Sequence, residues 1–242
     1  MSAHLRGPVR DLTVVMPVYN EADGIECCVR SWVDVLCDLG IRFRIDLYDD
    51  GSTDGTDRRL VEVARLPHVQ VTSKANEGHG PTILRGYRDA VQGSEWVFQV
   101  DSDDEIPASA FPSVWAAADA DTDAVLGVRV GREQTVDRLV MTKVAALTTR
   151  ALYSSRVTDV NVPFRLVRSE VLSALVDRIP PDTFAPNVAI SGALGRRPGR
   201  LREVEVRFTP RRTGTVSIAG LSILRPAARS FVQTVRLSRA LR

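Results

Sequence analysis

The spacing of apolar residues changes period several times along this chain. Leu12 to Tyr19 (LTVVMPVY) is a continuous run of apolar and β-branched residues, which predicts a strand buried on both faces. Ile25, Val29, Trp32 and Leu36 then recur at helical spacing until Gly40. Arg42 to Tyr48 alternates into a second strand, and Asp49 to Thr56 (DDGSTDGT) is a turn, with a helix starting near Asp54. Val69 to Thr72 predicts a third strand. A Gly-rich loop at Asn76 to Pro81 follows, then a helix to about Val91. Trp96 to Val100 is a fourth strand that ends directly at Asp101, and Ala124 to Val128 is a fifth.

Strands alternating with helices define an α/β fold with a mostly parallel, doubly wound sheet. Ligands of such sheets bind beyond the carboxyl ends of the strands. The acidic and Gly-rich segments of this chain all fall at those ends. The second half is less regular. Val136 to Tyr153 reads as a long helix, and Asp159 to Arg168 (DVNVPFRLVR) is a charged and apolar mixture with a helix from Ser169. Arg202 to Phe208 alternates like a strand, and Arg211 to Ser217 is a turn. The last segment places Ala228, Phe231, Val232 and Val235 on one stripe, with Arg225, Arg229, Arg236 and Arg239 largely elsewhere. That pattern suits either an amphipathic helix at a membrane surface or a helix packed on the domain itself.

The 242 residues are 44% hydrophobic and 26% charged, which suits one globular domain with a sizeable core. The net charge of +2 conceals an asymmetry. No acidic residue follows Glu205, and eight arginines do: Arg207, Arg211, Arg212, Arg225, Arg229, Arg236, Arg239 and Arg242. A weakly acidic body with a basic tail fits an anionic partner such as a membrane surface or a phosphorylated lipid, or a solvated helix end. Cys27, Cys28 and Cys37 form neither a disulfide framework nor a zinc pattern and read as free thiols of a reducing compartment. Met1 to Asp11 has no apolar leader core, and no apolar run is long enough to span a bilayer. A cytoplasmic protein with peripheral membrane contact is the expectation.

Asp101, Asp103, Asp104 and Glu105 (DSDDE) place four carboxylates within five residues. A divalent cation, Mg2+ or Mn2+, would relieve their repulsion and bridge substrate phosphates. An acid-rich helix start before Pro107 is the plainer alternative. Asp49 and Asp50 can accept hydrogen bonds from a base or ribose, or belong to an Asp/Ser/Gly turn that caps the next helix through Asp54. Gly78-His79-Gly80-Pro81 matches neither a dinucleotide fingerprint nor a P-loop, and says only that backbone approaches something closely.

Taken in order and spacing, Met16-Pro17-Val18-Tyr19-Asn20-Glu21, Asp49-Asp50-Gly51-Ser52-Thr53-Asp54-Gly55-Thr56 and Asp101-Ser102-Asp103 resemble the family 2 glycosyltransferases. Within that family the chain is most similar to polyprenyl-phosphate hexosyltransferases, over roughly Leu12 to Ser217. The resemblance implies a single GT-A-like nucleotide-sugar-binding domain over 12–218, flanked by an N-terminal extension, 1–11, and a basic C-terminal amphipathic helix, 219–242. It implies that Pro17, Tyr19 and Glu21 frame the nucleotide, with Asp49 beside them, and that Asp50 binds the base. Asn76 and Gly78 fall in the family's Asn-x-Gly segment. Asp101 and Asp103 match its Asp-x-Asp motif, with Asp103 nearest the metal and catalytic, and Glu105 a further metal neighbour. Leu126-Gly127-Val128-Arg129 resembles a strand ending in Gly-Ser-Arg. Asp159, Arg165 and Arg168 match an Asp…Gly-Phe-Lys…Arg segment, with Pro163 in place of Gly and Arg165 in place of Lys. Arg211, Gly214 and Ser217 resemble a terminal Arg-x-x-Gly-x-Ser segment with one residue inserted. The Gln-x-x-Arg-Trp motif of processive members is missing, which favours transfer of a single sugar.

The family implies an inverting, metal-dependent transfer from a GDP- or UDP-sugar. A phosphate acceptor is already an anion and needs cations rather than a base, and Arg129, Arg138, Arg165, Arg211 and Arg212 are the candidates. A hydroxyl acceptor needs a base. Asp159 is then the choice, unless it is an ion-pair partner of Arg165 or Arg168. The expected partners are thus a nucleotide sugar, a lipid phosphate and the inner face of a plasma membrane, without nucleic acid. A non-enzymatic anion-binding module would explain Arg225 to Arg242 but would leave the carboxylate clusters without a purpose.

Overall fold

The computed structural model describes residues 10–131, 147, 150–153, 157–197, 199–209 and 224–241. Seven strands form one sheet in the order β3-β2-β1-β4-β6-β5-β7. They are β1 (Arg10–Val18), β2 (Phe43–Asp49), β3 (Val69–Ser73), β4 (Ser94–Val100), β5 (Ala124–Val130), β6 (Phe164–Arg168) and β7 (Leu201–Arg207). All pairings are parallel except the two that β6 makes, with β4 and with β5. The sheet is therefore mostly parallel, as the alternation of elements predicts, with one reversed strand near its middle.

Both faces are covered, which is why β1 reads as an unbroken apolar run rather than an alternation. On one face, Leu12, Val14, Met16 and Val18 meet α1 (Ile25–Asp38) and α2 (Thr56–Val63). Trp32 of α1, fully buried, anchors this layer. Its ring lies 5.4 Å from Phe98, 5.7 Å from Phe111 and 6.1 Å from Phe164, and Phe98 meets Phe164 edge to face. These rings tie α1 to β4, to β6 and to α4 (Phe111–Ala116). On the other face, Val15, Tyr48 and Val97 meet α3 (His79–Ala90), α5 (Ser169–Val176), α6 (Pro186–Leu194) and the end of α7 (Leu224–Ala240). Gly86 lets α3 lie close on the sheet, since a Cβ there would stand 2.4 Å from Val15 Cγ1.

Three elements depart from the sequence reading. Residues 164–168, part of the mixed segment, are a strand. Arg165 and Arg168 obscure its alternation, yet Arg165 is fully buried and Arg168 stacks on Trp96 at 4.4 Å. α6 has no apolar period because all nine of its residues are buried, among them Asn187, Ser191 and Gly192. α7 docks through Thr234, Leu237 and Ser238, with Leu241 just past its end, whereas Val232 of the expected stripe is 46% exposed. The Ser238 hydroxyl is tolerated there because it donates to Val235 O at 2.7 Å. Phe184 N also donates to Gln233 Oε1 at 2.9 Å, so this end of α7 packs on the domain. Among the described residues no helix is long and apolar enough to cross a membrane. Most of the long helix expected at 136–153, and the turn at 211–217, lie outside the described residues.

Candidate active site

Four loops leave the carboxyl ends of β1, β2, β3 and β4 side by side. The first two are laced together. Asn20, at φ +55°, donates its N–H to Ser52 Oγ at 3.0 Å and accepts from Thr53 N at 2.8 Å. Glu21 N donates to Thr56 Oγ1 at 2.8 Å and Ala22 N to Asp54 Oδ2 at 3.1 Å. Asp54 and Thr56 thus tether the first loop, and Asp54 Oδ1 also accepts from Thr56 N, at the first residue of α2, at 3.0 Å, while Gly55 holds the N-cap position. Pro17 is buried in β1, Tyr19 is 39% exposed, and Glu21 is buried.

Asp50 holds the second loop to the third. Its carboxylate, almost wholly buried, accepts from Glu77 N at 2.9 Å, Gly78 N at 2.8 Å and the Lys74 ammonium. Asp49 accepts from Ser52 N at 3.1 Å. Asp50 is therefore occupied as the keystone of the 74–78 loop, a structural role beside the base contact that the resemblance implies. Lys74, which sequence reasoning missed, is its buried counter-charge and also reaches Glu77 at 3.0 Å. Gly51 sits at φ +72°, and a Cβ on it would come within 2.9 Å of Asn76 N. Gly51→Ala is expected to cost about 2 kcal/mol of stability. It should also weaken nucleotide affinity by forcing the second and third loops apart. Thermal unfolding and nucleotide titration check both effects.

The fourth loop carries the acidic motif. Asp101 Oδ1 lies 3.0 Å from His79 Nε2 and accepts from Gln99 Nε2 at 2.9 Å. Asp103 accepts from Glu105 N at 3.2 Å, and Asp104 sits at φ +55°. Thr209 N donates to Glu105 O at 2.8 Å and ties this loop to the end of β7. His79, at the start of α3, registers the field of the cleft. The crowded cleft takes some water from the ring, still 57% exposed, and so lowers its pKa, but the charge and hydrogen bond of Asp101, then the charges of Asp103 and Asp50, outweigh this and raise it. Burial first, and then the charges of Asp104, Asp103 and Glu21, raise the Cys28 thiol beyond any useful range. The strand ends thus converge on one strongly negative cleft.

Among the described residues no three His, Cys, Asp or Glu side chains already converge as a metal cage. The expected ligand set Asp101, Asp103 and Glu105 is accordingly not preassembled. The donor chemistry still suits a hard cation. Asp101 and Asp103 are carboxylates at a strand end, Asp101 is 25% exposed, and Mg2+-type sites commonly take only one or two carboxylates, with substrate phosphates completing the shell.

The expected acceptor residues fare differently. Arg165 is wholly buried, its guanidinium spent on Val162 O at 2.6 Å, Asn187 O at 3.2 Å and Ser191 Oγ at 3.2 Å. It ties α6 to β6, a structural role beside the acceptor contact that was expected of it. Arg129 and Asp159 form a two-bond ion pair, at 2.7 and 2.9 Å, with each side chain 12% exposed. Asp159 thus takes the ion-pair role, but with Arg129 rather than Arg165 or Arg168, and the pair neutralises the charge Arg129 was expected to offer. Arg168 instead bonds Glu95 at 2.9 Å and Thr122 O at 2.8 Å. Arg138, Arg211 and Arg212 lie outside the described residues.

In an α/β sheet of this kind ligands bind over the carboxyl ends of the strands, which is where these acidic loops stand. Residues 13–175 match the model of glycosyl transferase family 2, and the chain belongs to that family. It is similar to undecaprenyl-phosphate 4-deoxy-4-formamido-L-arabinose transferases. The one from Klebsiella pneumoniae subsp. pneumoniae is 28% identical over 75% of this chain and 56% of its own length. The one from Pectobacterium carotovorum subsp. carotovorum is 26% identical over 89% of this chain and 65% of its own. The chain thus spans somewhat over half the length of these curated relatives. Among solved structures, glucosyl-3-phosphoglycerate synthase from Mycobacterium tuberculosis, crystallised with Mn2+, UDP-glucose and phosphoglyceric acid, shares the fold. The TM-score is 0.67 at 17% identity, covering 95% of this chain and 80% of that one. The chain thus carries a glycosyl transferase family 2 domain with a GT-A-like fold.

Proposed function

We propose that the protein transfers one sugar from a nucleoside-diphosphate sugar to a polyprenyl phosphate, with inversion and with a divalent metal. The observation that carries the choice of acceptor is the Arg129–Asp159 pair. Both oxygens of the carboxylate placed as a base are held by one guanidinium. A hydroxyl acceptor would need that base free, whereas a phosphate acceptor arrives ionised and does not. The names of the curated relatives support the same acceptor class. UDP-glucose and Mn2+ in the structural neighbour support a nucleotide-sugar donor and a metal.

In this reading the laced first and second loops, with Tyr19 at the lip, frame the nucleotide. Asp50 keeps the third loop closed against it. Asp101 and Asp103 would hold Mg2+ or Mn2+. That ion, when bound, neutralises charge on the departing diphosphate. The acceptor phosphate oxygen attacks the anomeric carbon from the side opposite the diphosphate, so no proton need be removed. Membrane contact, on the same reading, is peripheral and at the cytoplasmic face where the carrier phosphate is exposed.

The test is a donor panel of GDP-mannose, UDP-glucose, UDP-N-acetylglucosamine and UDP-galactose with Mn2+ or Mg2+, with and without a short polyprenyl phosphate. Diphosphate release that requires the lipid, with one sugar added by mass, is the expected result. Release indifferent to the lipid sinks the acceptor assignment. Asp159→Asn separates the two acceptors further. It should keep transfer to lipid phosphate within about tenfold, whereas loss of a general base costs on the order of 100-fold to 10,000-fold.

A further inference from the structure

Behind Asp101 runs a chain of buried polar groups that the nucleotide site does not itself use. Tyr87 OH donates to Asn187 Oδ1 at 3.0 Å. Asn187 Nδ2 donates to Gln99 Oε1 at 3.1 Å, and Gln99 Nε2 donates to Asp101 Oδ1 at 2.9 Å. Tyr87, Gln99 and Asn187 are almost completely buried. They come from the consecutive elements α3 and β4 and from α6, whose Asn187 lies 88 positions beyond Gln99. Every donor in the chain points toward Asp101, so the chain has one polarity and ends in an N–H aimed at a carboxylate. Its middle member is itself clamped, because Arg165 bonds the Asn187 carbonyl while the Asn187 side chain bonds Gln99.

Such a chain has a cost and an effect. Buried amides are tolerated only when fully bonded, and a fully bonded network specifies one arrangement. Gln99 and Asp101 lie two residues apart at a strand end, so both project to the same face and the hydrogen bond is set by backbone geometry. His79 approaches the same oxygen from the cleft side at 3.0 Å. Two protein groups thus converge on Oδ1.

We infer that Gln99, Asn187 and Tyr87 are positioning residues that lock the Asp101 carboxylate through Oδ1 and leave Oδ2 as the oxygen presented to the nucleotide diphosphate and its metal. This rests on the function proposed above, in which Asp101 contacts that ligand. Outer partners that fix the orientation of a liganding group typically change affinity by 10- to 100-fold when removed.

The test is a double-mutant cycle read as nucleoside-diphosphate affinity at saturating Mn2+, with UDP and GDP as probes and melting temperature recorded for each variant. Gln99→Met keeps the side-chain volume and removes the donor. It should weaken binding roughly tenfold. In an Asp101→Ala background it should have no further effect, because a residue that acts only through Asp101 loses its role with it. Tyr87→Phe removes one oxygen from the far end and keeps the packed ring. It should weaken binding about two- to threefold, and that loss too should vanish in the Asp101→Ala background. It carries the test if Gln99→Met does not fold. A foldable variant that binds like wild type, or whose loss adds to that of Asp101→Ala, overturns the inference while leaving the function intact. Asp101→Ala without effect on affinity would instead overturn the proposed role of Asp101, and the inference with it.

Discussion

Asp103→Ala is expected to lower kcat/KM for sugar transfer by at least a hundredfold while leaving the melting temperature unchanged or slightly raised. The two effects have one cause. Asp101, Asp103, Asp104 and Glu105 stand together at the end of β4, and the charge of Asp103 reaches both His79, with that of Asp101, and Cys28, with that of Asp104. Concentrated like charge destabilises the folded chain and is tolerated at functional sites. Removing one carboxylate relieves some of that repulsion. The same change removes a group placed to hold cationic charge against a departing diphosphate, and losing one such electrostatic contact costs on the order of 3–4 kcal/mol in the transition state. Nucleoside-diphosphate binding by the variant should also lose its dependence on Mn2+. Activity within threefold of wild type at saturating metal would remove Asp103 from the site.

Arg165→Ala is expected to be the most destabilising single change among the residues first assigned to substrate. The guanidinium is fully buried and among the described residues has no hydrogen-bonded carboxylate, and its burial holds its pKa below the usual arginine range, against the opposing pull of Tyr87, Asp159 and Asp101. Two effects oppose each other on its removal. Taking a cation out of the core relieves a desolvation cost of several kcal/mol. The change also strips donors from Val162 O, Asn187 O and Ser191 Oγ, at about 1–3 kcal/mol for each acceptor left bare, and opens a cavity the length of the side chain. The second effect wins by roughly 3–5 kcal/mol, a drop in melting temperature of about 6–20 °C for a chain of this size. Arg165→Met, which fills the space, should lose less. Chemical unfolding reads the difference directly. An unchanged unfolding curve with a raised KM for acceptor would return Arg165 to the acceptor site.

The contrast between these two residues explains what the sequence could convey. β1 to β4 and their loops were legible because their signals are local: an apolar run, a helical period, and a turn rich in Asp, Gly and Ser at each strand end. Arg165 is a phosphate candidate because it stands where the resembled segment has Lys, and β6 is hidden because Arg165 and Arg168 obscure its alternation. An arginine beside a polar loop has the composition of a surface segment, and it is α6 and the 160–162 loop, distant or unpatterned in sequence, that enclose its guanidinium. Gln99 was hidden by its neighbours, because within FQVDSDDE the carboxylates claim notice. Its value depends on Asn187, 88 positions away. A glutamine two residues before a functional aspartate, on a strand, was the one local clue. The Arg129–Asp159 pair joins β5 to the loop before β6, a contact that no spacing in the chain announces.

The reversed strand also sets a schedule for biosynthesis. Among the described residues β5 pairs only with β6 and β7, both of which come later in the chain, so when it leaves the ribosome neither of these partners is present. Its run AVLGVRV must wait until β6, about 40 residues further on, has emerged. At 5–20 residues per second that interval is roughly 2–8 s. During it, β1 to β4 can already close a four-stranded unit whose free edge, β4, later receives β6. The nascent nucleotide half is thus complete while an apolar strand remains uncovered, and that interval is when aggregation or chaperone capture of this enzyme is most to be expected.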